Sequence, residues 1–295
     1  MPLNSDNERP LLSSWFMKHG MSLCGSERVD NRSVFLVVKE ILDNAIDACR
    51  HLKDPRTEPK VSVTLKSDLK LICSDLGGPG IAADGVDSIR GMFSSTKHAD
   101  SGTGFSGKFG LGLKFVTLFL HQAGCAAIHF EVVTDEVRLV EFDLLVEDGG
   151  IKVGEVRIDK IDGDPGFTTR VSLQLPQSPD VDYDIVRSLT EEYLALSSHF
   201  LGEKAPTFEY NDKQLQGSSL FRSTPGQPVA RYSVDGVTVM TRVRPQRDSS
   251  ARIGSDRTIL ATRLVNGTVM ANLPGWSECC LLGAIRDAFG REGRR

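Results

Sequence analysis

The sequence predicts an α+β protein with strands and helices segregated, rather than a doubly wound parallel sheet. Three observations carry that expectation. A long amphipathic helix stands near the start, over about residues 33–51. Two strand-like runs follow it at 60–66 and 69–75, and four more lie between 126 and 175 with no helical pattern among them. Another long helix, at 182–201, then opens a second mixed unit.

Each element has its own reason. Residues 1–10 are polar, and "LLSSWFMKHG" reads as a short amphipathic helix ending at Gly20. Asn31 or Ser33 is placed to cap the long helix, which runs to about His51. Within it, Val34, Val38, Ile41, Ala45 and Cys49 form the apolar stripe that packs a helix onto a sheet. Glu40, Asn44 and Asp47 fall within about 60° of one another at about 100° per residue. Packing does not need that polar stripe, and if it is covered its carboxylates must have partners.

"KVSVTLK" (Lys60 to Lys66) alternates with period two, and "LKLICSD" (Leu69 to Asp75) is an apolar run stopped by "GGPG", so the two read as paired strands. A glycine-rich stretch from Gly77 to Gly112 precedes the helix "LGLKFVTLFLHQ". "AAIHFEVV", "VRLVEFDLLV", "IKVGEVRI" and "TTRVSLQL" read as strands, and Pro176 and Pro179 mark a break. "DYDIVRSLTEEYLALSSHFL" is a helix with acidic residues at its start, as the dipole favours. Short strands with turn signals at Asn211-Asp212, Asp235-Gly236 and Asn266-Gly267 follow, then a last helix at about Glu278 to Phe289.

The chain has 295 residues, enough for one large or two ordinary domains with ample core. A net charge of −4 argues against a general nucleic-acid coat. Cys24, Cys49, Cys73, Cys125, Cys279 and Cys280 have no framework spacing, so reduced thiols in an intracellular protein are expected. No run of 18 apolar residues and no signal-peptide core is found, so neither a membrane span nor a secretory leader is expected.

Three features carry chemistry: the polar helix stripe, the aspartate and glycine turn of "SDLGGPGI", and "SGTGFSGKFGLGLKF" ahead of a helix. Glycines before a helix amino terminus let backbone amides approach a phosphate, and the helix dipole favours the anion. Asn44 can give magnesium an amide oxygen without adding negative charge. Glu40, one turn away, is placed as general base for a water attacking a γ-phosphate. Asp75, at its strand end, suits an exocyclic amine. Asp47 reads equally as a helix-to-loop hydrogen-bond partner, Asp43 as a solvated residue, and Lys108 and Lys114 as phosphate contacts or solvated lysines.

These residues carry a resemblance. "KEILDNAIDA" resembles the E-x-x-x-N-x-x-D-A helix of the GHKL ATPases (gyrase B, Hsp90, histidine kinase and MutL types), "GKFGLG" is similar to their G-x-x-G-x-G phosphate motif, and Thr169 to their strand threonine near adenine. Within that superfamily the chain resembles the B subunit of DNA topoisomerase VI, the type IIB enzymes. "SSWFMKHGMSLCG", "SSTKH", "SGKFGLGLKFVTLFLHQAG" and "ILATRLVNGTVMANLPG" match that family's amino-terminal segment, nucleotide lid, phosphate loop and transducer strand pair.

The resemblance implies a GHKL (Bergerat) ATP-binding sandwich at 33–201, an amino-terminal strap at 1–32 and a partial transducer-like, ribosomal S5-like domain at 202–295. It implies ATP and Mg²⁺ as cofactors, Glu40 as the base, Asn44 as the magnesium ligand, and Asp75 and Gly77 at adenine. Thr96 and Lys97 of the lid, with Gly107, Lys108, Phe109, Gly110, Leu111, Gly112, Leu113 and Lys114, would cradle the phosphates. It further implies an ATP-dependent homodimeric clamp around DNA, with a separate A-type subunit that cuts both strands.

The family's D-x-G-x-G reads "DLGGPG" here, with Pro79 in the place of the last glycine. Either the turn is shifted so that Gly80 serves, or adenine binding is weakened, because proline removes an amide donor. No helix-two-turns-helix insertion is seen, and the sequence stops just after the first transducer helix. These departures point to a eukaryotic meiotic B-like protein, nuclear and partnered by a meiotic A-like subunit, or to a truncated chain; in a prokaryote the location would be cytoplasmic. A catalytically weak or inactive scaffold is the alternative, and a histidine-kinase reading is weak because only about 30 residues, with no phosphoacceptor-helix segment, precede the Glu40 helix. Eight arginines against three aspartates over 221–263 fit either DNA nearby or a solvated face.

Overall fold

The computed structural model describes residues 28–52, 54, 56–81, 112–134, 138–201 and 205–215, with the strands at 229–234, 237–242, 263–265 and 268–270. The chain divides into two compact units, Met1–Gly217 and Ser218–Arg295.

Helix α1 (Asn31–Arg50) starts at a capping box. The Asp30 carboxylate accepts the Ser33 N–H at 2.8 Å, and Ser33 Oγ accepts the Asp30 N–H at 2.9 Å. The cap is therefore Asp30, where Asn31 or Ser33 was expected. Asn31 instead takes the Asp182 N–H on its side-chain oxygen at 2.6 Å, at the start of the third helix. The expected apolar stripe of α1 is buried, and Val37, Leu42 and Ile46 widen it. That breadth follows from its neighbours: α1 packs on the sheet and against both α2 (Gly112–Gln122) and α3 (Tyr183–Leu201).

The sheet contains β1 (Lys60–Leu65), β2 (Lys70–Leu76), β3 (Ile128–Val133), β4 (Arg138–Glu147), β5 (Gly150–Val153), β6 (Arg157–Lys160), β7 (Thr169–Gln174), β8 (Thr207–Tyr210) and β9 (Lys213–Gln214). Its order is β5-β4-β3-β7-β2-β1-β8-β9, with β6 beside β5 on the outer edge of β4. Every pairing is antiparallel except β1 with β8. The run "IKVGEVRI" is thus two short edge strands, broken at Gly154–Val156, rather than one.

Strand alternation sends Val61, Val63, Leu65, Leu71, Cys73, Ile128, Phe130, Val132, Val140, Phe142 and Leu144 into the core under the helices. Phe130 and Phe142 are register partners, and their rings stack at 4.9 Å. The same period puts Asp75 on the core side behind Leu71 and Cys73, where packing alone would call for an apolar residue.

The first unit runs beyond the boundary expected at 201–202. After α3 the chain returns to the sheet, where β8 joins β1 in parallel and the Thr207 N–H bonds to Pro59 O at 2.8 Å. Asn211 and Asp212 make the β8–β9 turn with φ of 48° and 62°, a two-residue turn with both residues left-handed. The second unit shows two antiparallel hairpins, β10 (Val229–Val234) with β11 (Val237–Arg242) and β12 (Arg263–Val265) with β13 (Thr268–Met270). They flank the two expected turn dipeptides. The expected helices at "LLSSWFMKHG" and 278–289 lie outside the described residues. No helix among the described residues is long and apolar enough to cross a membrane.

Candidate functional site

The site begins on α1. Glu40 is half-buried, and Asn44, one turn on, is exposed. The Asn44 side-chain N–H donates to the Glu40 backbone carbonyl at 2.9 Å, which commits the amide nitrogen and leaves its oxygen as the end presented to a ligand. Asp47 does not share that exposure. It is 1 % exposed, with Arg50 at 3.5 Å, so the polar stripe splits into an open part and a structural part.

The amino terminus of α2 meets this stripe. A Cβ built on Gly112 would overlap Oε2 of Glu40, so the Glu40 carboxylate rests against the first residue of α2. Glycine at this point is a matter of room. Any side chain there would displace Glu40. The arrangement puts a carboxylate, an amide oxygen and the positive end of a helix together. In the next residues of α2, Leu113 is half-buried, and Lys114 is buried rather than solvated. Burial lowers the Lys114 pKa to about 8.

Asp75 stands at the end of β2, 4 % exposed, opposite Thr169 of β7. The Thr169 hydroxyl hydrogen-bonds its carboxylate, while Oδ1 is buried with no partner among the described residues. Burial raises the Asp75 pKa to about 7, and Thr169 only partly offsets that. An orphaned buried acceptor of this kind costs about 1–3 kcal/mol and is explained by a ligand donor.

The turn after Asp75 answers the question Pro79 raised. Gly77 and Gly80 both have left-handed φ, 95° and 67°. A Cβ on Gly78 would lie 2.8 Å from both Ala48 Cβ and Asp75 Oδ1, so the turn is pressed onto α1. The left-handed position beyond Gly77 is thus Gly80, one residue later than in D-x-G-x-G. Thr168 ties the turn together: its N–H donates to Asp75 O at 2.7 Å, and its Oγ accepts the Gly77 N–H at 3.0 Å.

With this geometry in place, the comparisons with known proteins fall into line. Residues 29–179, just over half of the chain, match the family described as histidine kinase-, DNA gyrase B-, and HSP90-like ATPase. The chain belongs to this ATPase family. Solved structures share its fold. The ATPase region of Saccharomyces cerevisiae topoisomerase II matches with a TM-score of 0.52 at 15% identity, over 71% of this chain and 58% of that one. The same region bound to ICRF-187 (dexrazoxane) matches with a TM-score of 0.50 at 16% identity, over 63% and 49%. The ATPase and transducer domains of topoisomerase II from Balamuthia mandrillaris give 0.51 at 16%, over 71% and 55%. The chain therefore spans about half the length of these structures. No curated protein sequence matches it.

ATP is the ligand this ATPase family implies, and the residues fit it. Asp75 offers a buried acceptor to an amine, Gly112 opens α2 beside a carboxylate, and Asn44 presents an amide oxygen. Among the described residues no group of three or more His, Cys, Asp or Glu is set to hold a metal. Magnesium bound with a nucleotide needs only one or two protein oxygens, the rest coming from phosphates and water. Thr96, Lys97, Gly107, Lys108, Phe109, Gly110 and Leu111 lie outside the described residues.

Four further residues shape the site. Asp43, read from sequence equally as a solvated residue, is 6 % exposed and bonded to Lys39 Nζ at 2.6 Å. Tyr193 of α3 donates its hydroxyl to the other oxygen of Asp43. Lys39 precedes Glu40, and its i,i+4 spacing to Asp43 is the sequence signal that could have found it. Thr168 was hidden by its neighbour in "TTRVSL".

Proposed function

We propose that this chain is the ATP-binding B-type subunit of a type IIB topoisomerase or topoisomerase VI-like complex. It dimerises as an ATP-operated clamp and supports DNA double-strand cleavage by a separate A-type subunit. The observation that carries the reading is the seat of Glu40 against Gly112, which sets a carboxylate at the amino terminus of α2. The likeness to structures described as topoisomerase II ATPase regions supports the topoisomerase setting.

The chain's own residues divide the work. Asp75 accepts the exocyclic amine of adenine on its orphaned oxygen, and Thr169 fixes the carboxylate from the other side. Asn44 supplies the amide oxygen for magnesium, which when bound neutralises phosphate charge. Glu40 takes the proton of the attacking water, and the amino terminus of α2 offsets charge on the phosphates. The turn through Gly78 excludes water from Asp75.

A second reading, a scaffold that binds nucleotide without turnover or binds none, is favoured by Pro79 alone, which removes an amide donor from the turn after Asp75. One experiment separates the two. Binding of a non-hydrolysable ATP analogue is measured, then steady-state hydrolysis, for the wild type and Glu40→Ala. The proposal expects binding in both and turnover only in the wild type. Binding without wild-type turnover leaves the scaffold, and equal turnover in both removes Glu40 as the base.

A further inference from the structure

The residue before the base raises a physical problem. Lys39 is almost fully buried, and its ammonium lies 2.6 Å from Asp43 Oδ2 but 3.7 Å from Glu40 Oε1. Two carboxylates one helical turn apart therefore share one cation, with Asp43 in close contact and Glu40 in a longer ion pair. Tyr193 explains the outcome. It donates to Asp43 Oδ1, so the two Asp43 oxygens are divided between α3 and Lys39. Its ring also lies 5.8 Å from the ammonium and packs edge-on to Phe35 at 6.1 Å, which fixes it between the helices. Burial works to lower the Lys39 pKa, but Asp43, with Glu40 behind it, outweighs burial and keeps it above the ordinary lysine value.

We propose that Asp43, fixed by Tyr193, is a positioning residue that draws the Lys39 ammonium toward itself, keeps its pair with Glu40 long, and so leaves the Glu40 carboxylate against Gly112. A close Lys39–Glu40 pair would occupy the oxygen that must accept the water's proton. It would also draw the carboxylate away from the start of α2. The inference rests on the reading of Glu40 as the base. It adds that the base is set from α3, through an aspartate that touches no ligand itself.

The test uses Asp43→Asn, the neutral pair Lys39→Met/Asp43→Asn, and Glu40→Gln as the reference. Asn keeps an acceptor for Tyr193 but turns an amide N–H toward Lys39. That variant should lower kcat at least about tenfold and leave KM for ATP within about twofold. The double variant, which removes the cation, should recover to within about threefold of wild type. Wild-type kcat in Asp43→Asn, or a double variant no better than the single, overturns the proposal. Tyr193→Phe should lower kcat with KM unchanged, and it serves as the single variant if Asp43→Asn fails to fold. If wild-type turnover does not exceed that of Glu40→Gln, the reading of Glu40 fails. The position of Lys39 then decides on its own. In a crystal structure of Asp43→Asn, its ammonium should close to about 3 Å from Glu40, and an ammonium that stays on the substituted amide overturns the proposal.

Discussion

Glu40 of α1 and Gly112 of α2 occupy space that only one side chain can fill: a Cβ at 112 would overlap Oε2 of the glutamate. The atom in the way is the end of a flexible side chain, so the fold can absorb a methyl group by moving Glu40. Gly112→Ala should therefore fold with a midpoint near wild type, helped by alanine's better helix propensity. Its ATP turnover should fall by about 10² or more, the scale of a lost general base. Thermal melting and a hydrolysis assay on the same preparation check this.

Asp75 predicts a pH dependence. Its folded-state pKa is raised to about 7, so its contribution to stability is present at low pH and lost as pH rises through about 7. An amine donor needs the ionised form, so binding of the ATP analogue should tighten from pH 6 to pH 8. Proton release on binding should be measurable below pH 7. Asp75→Asn should bind weakly, with a flat profile over that range and no loss of stability with rising pH from this site. Calorimetry in two buffers of different ionisation enthalpy reads both effects.

In the turn after Asp75, Gly80 rather than Pro79 is the residue that matters. Gly80 has a φ of 67°, which a residue with a Cβ adopts at a cost of about 1–2 kcal/mol. Gly80→Ala should lower stability by about that amount and weaken analogue binding. Pro79→Gly should leave the turn's course unchanged, with affinity within about threefold of wild type and a small entropic loss of stability. A large gain in affinity from Pro79→Gly would show that the proline itself limits adenine binding. Parallel melting and titration of the two variants decide it.

The cap of α1 is a control on the fold rather than the site. Asp30→Ala removes the carboxylate that accepts the Ser33 N–H and should destabilise the unit by about 1 kcal/mol, while analogue affinity at saturating folded protein stays the same. Urea unfolding checks the first part, and titration the second.

Periodicity made the helices legible, since the apolar positions of α1 and α3 recur at 3.6-residue spacing and their ends carry caps. The β1–β2 hairpin and the Asn211-Asp212 turn were legible for similar local reasons, whereas Thr169 was named only through the family resemblance, its place opposite Asp75 being set by the pairing of β2 with β7. What failed was non-local. Within α1 only the i,i+4 spacing from Lys39 marks Asp43 as paired, and its other partner, Tyr193, is 150 positions away. The β8–β9 hairpin was assigned to the wrong unit because chain order put it after α3, while its pairing partner β1 lies far upstream. Asp30 was passed over as the cap because Asn31 and Ser33 are equally good cap residues, and only the backbone decides among them.

The central claim is that this chain binds ATP in the site between α1, α2 and the end of β2. The most direct test is calorimetric titration of a non-hydrolysable ATP analogue with Mg²⁺ into the wild type and Asp75→Ala. Saturable binding in the wild type, weakened about a hundredfold or more in the variant, is the predicted result for loss of a buried hydrogen-bond partner. No binding by the folded wild type, or equal affinity in the two proteins, would contradict it.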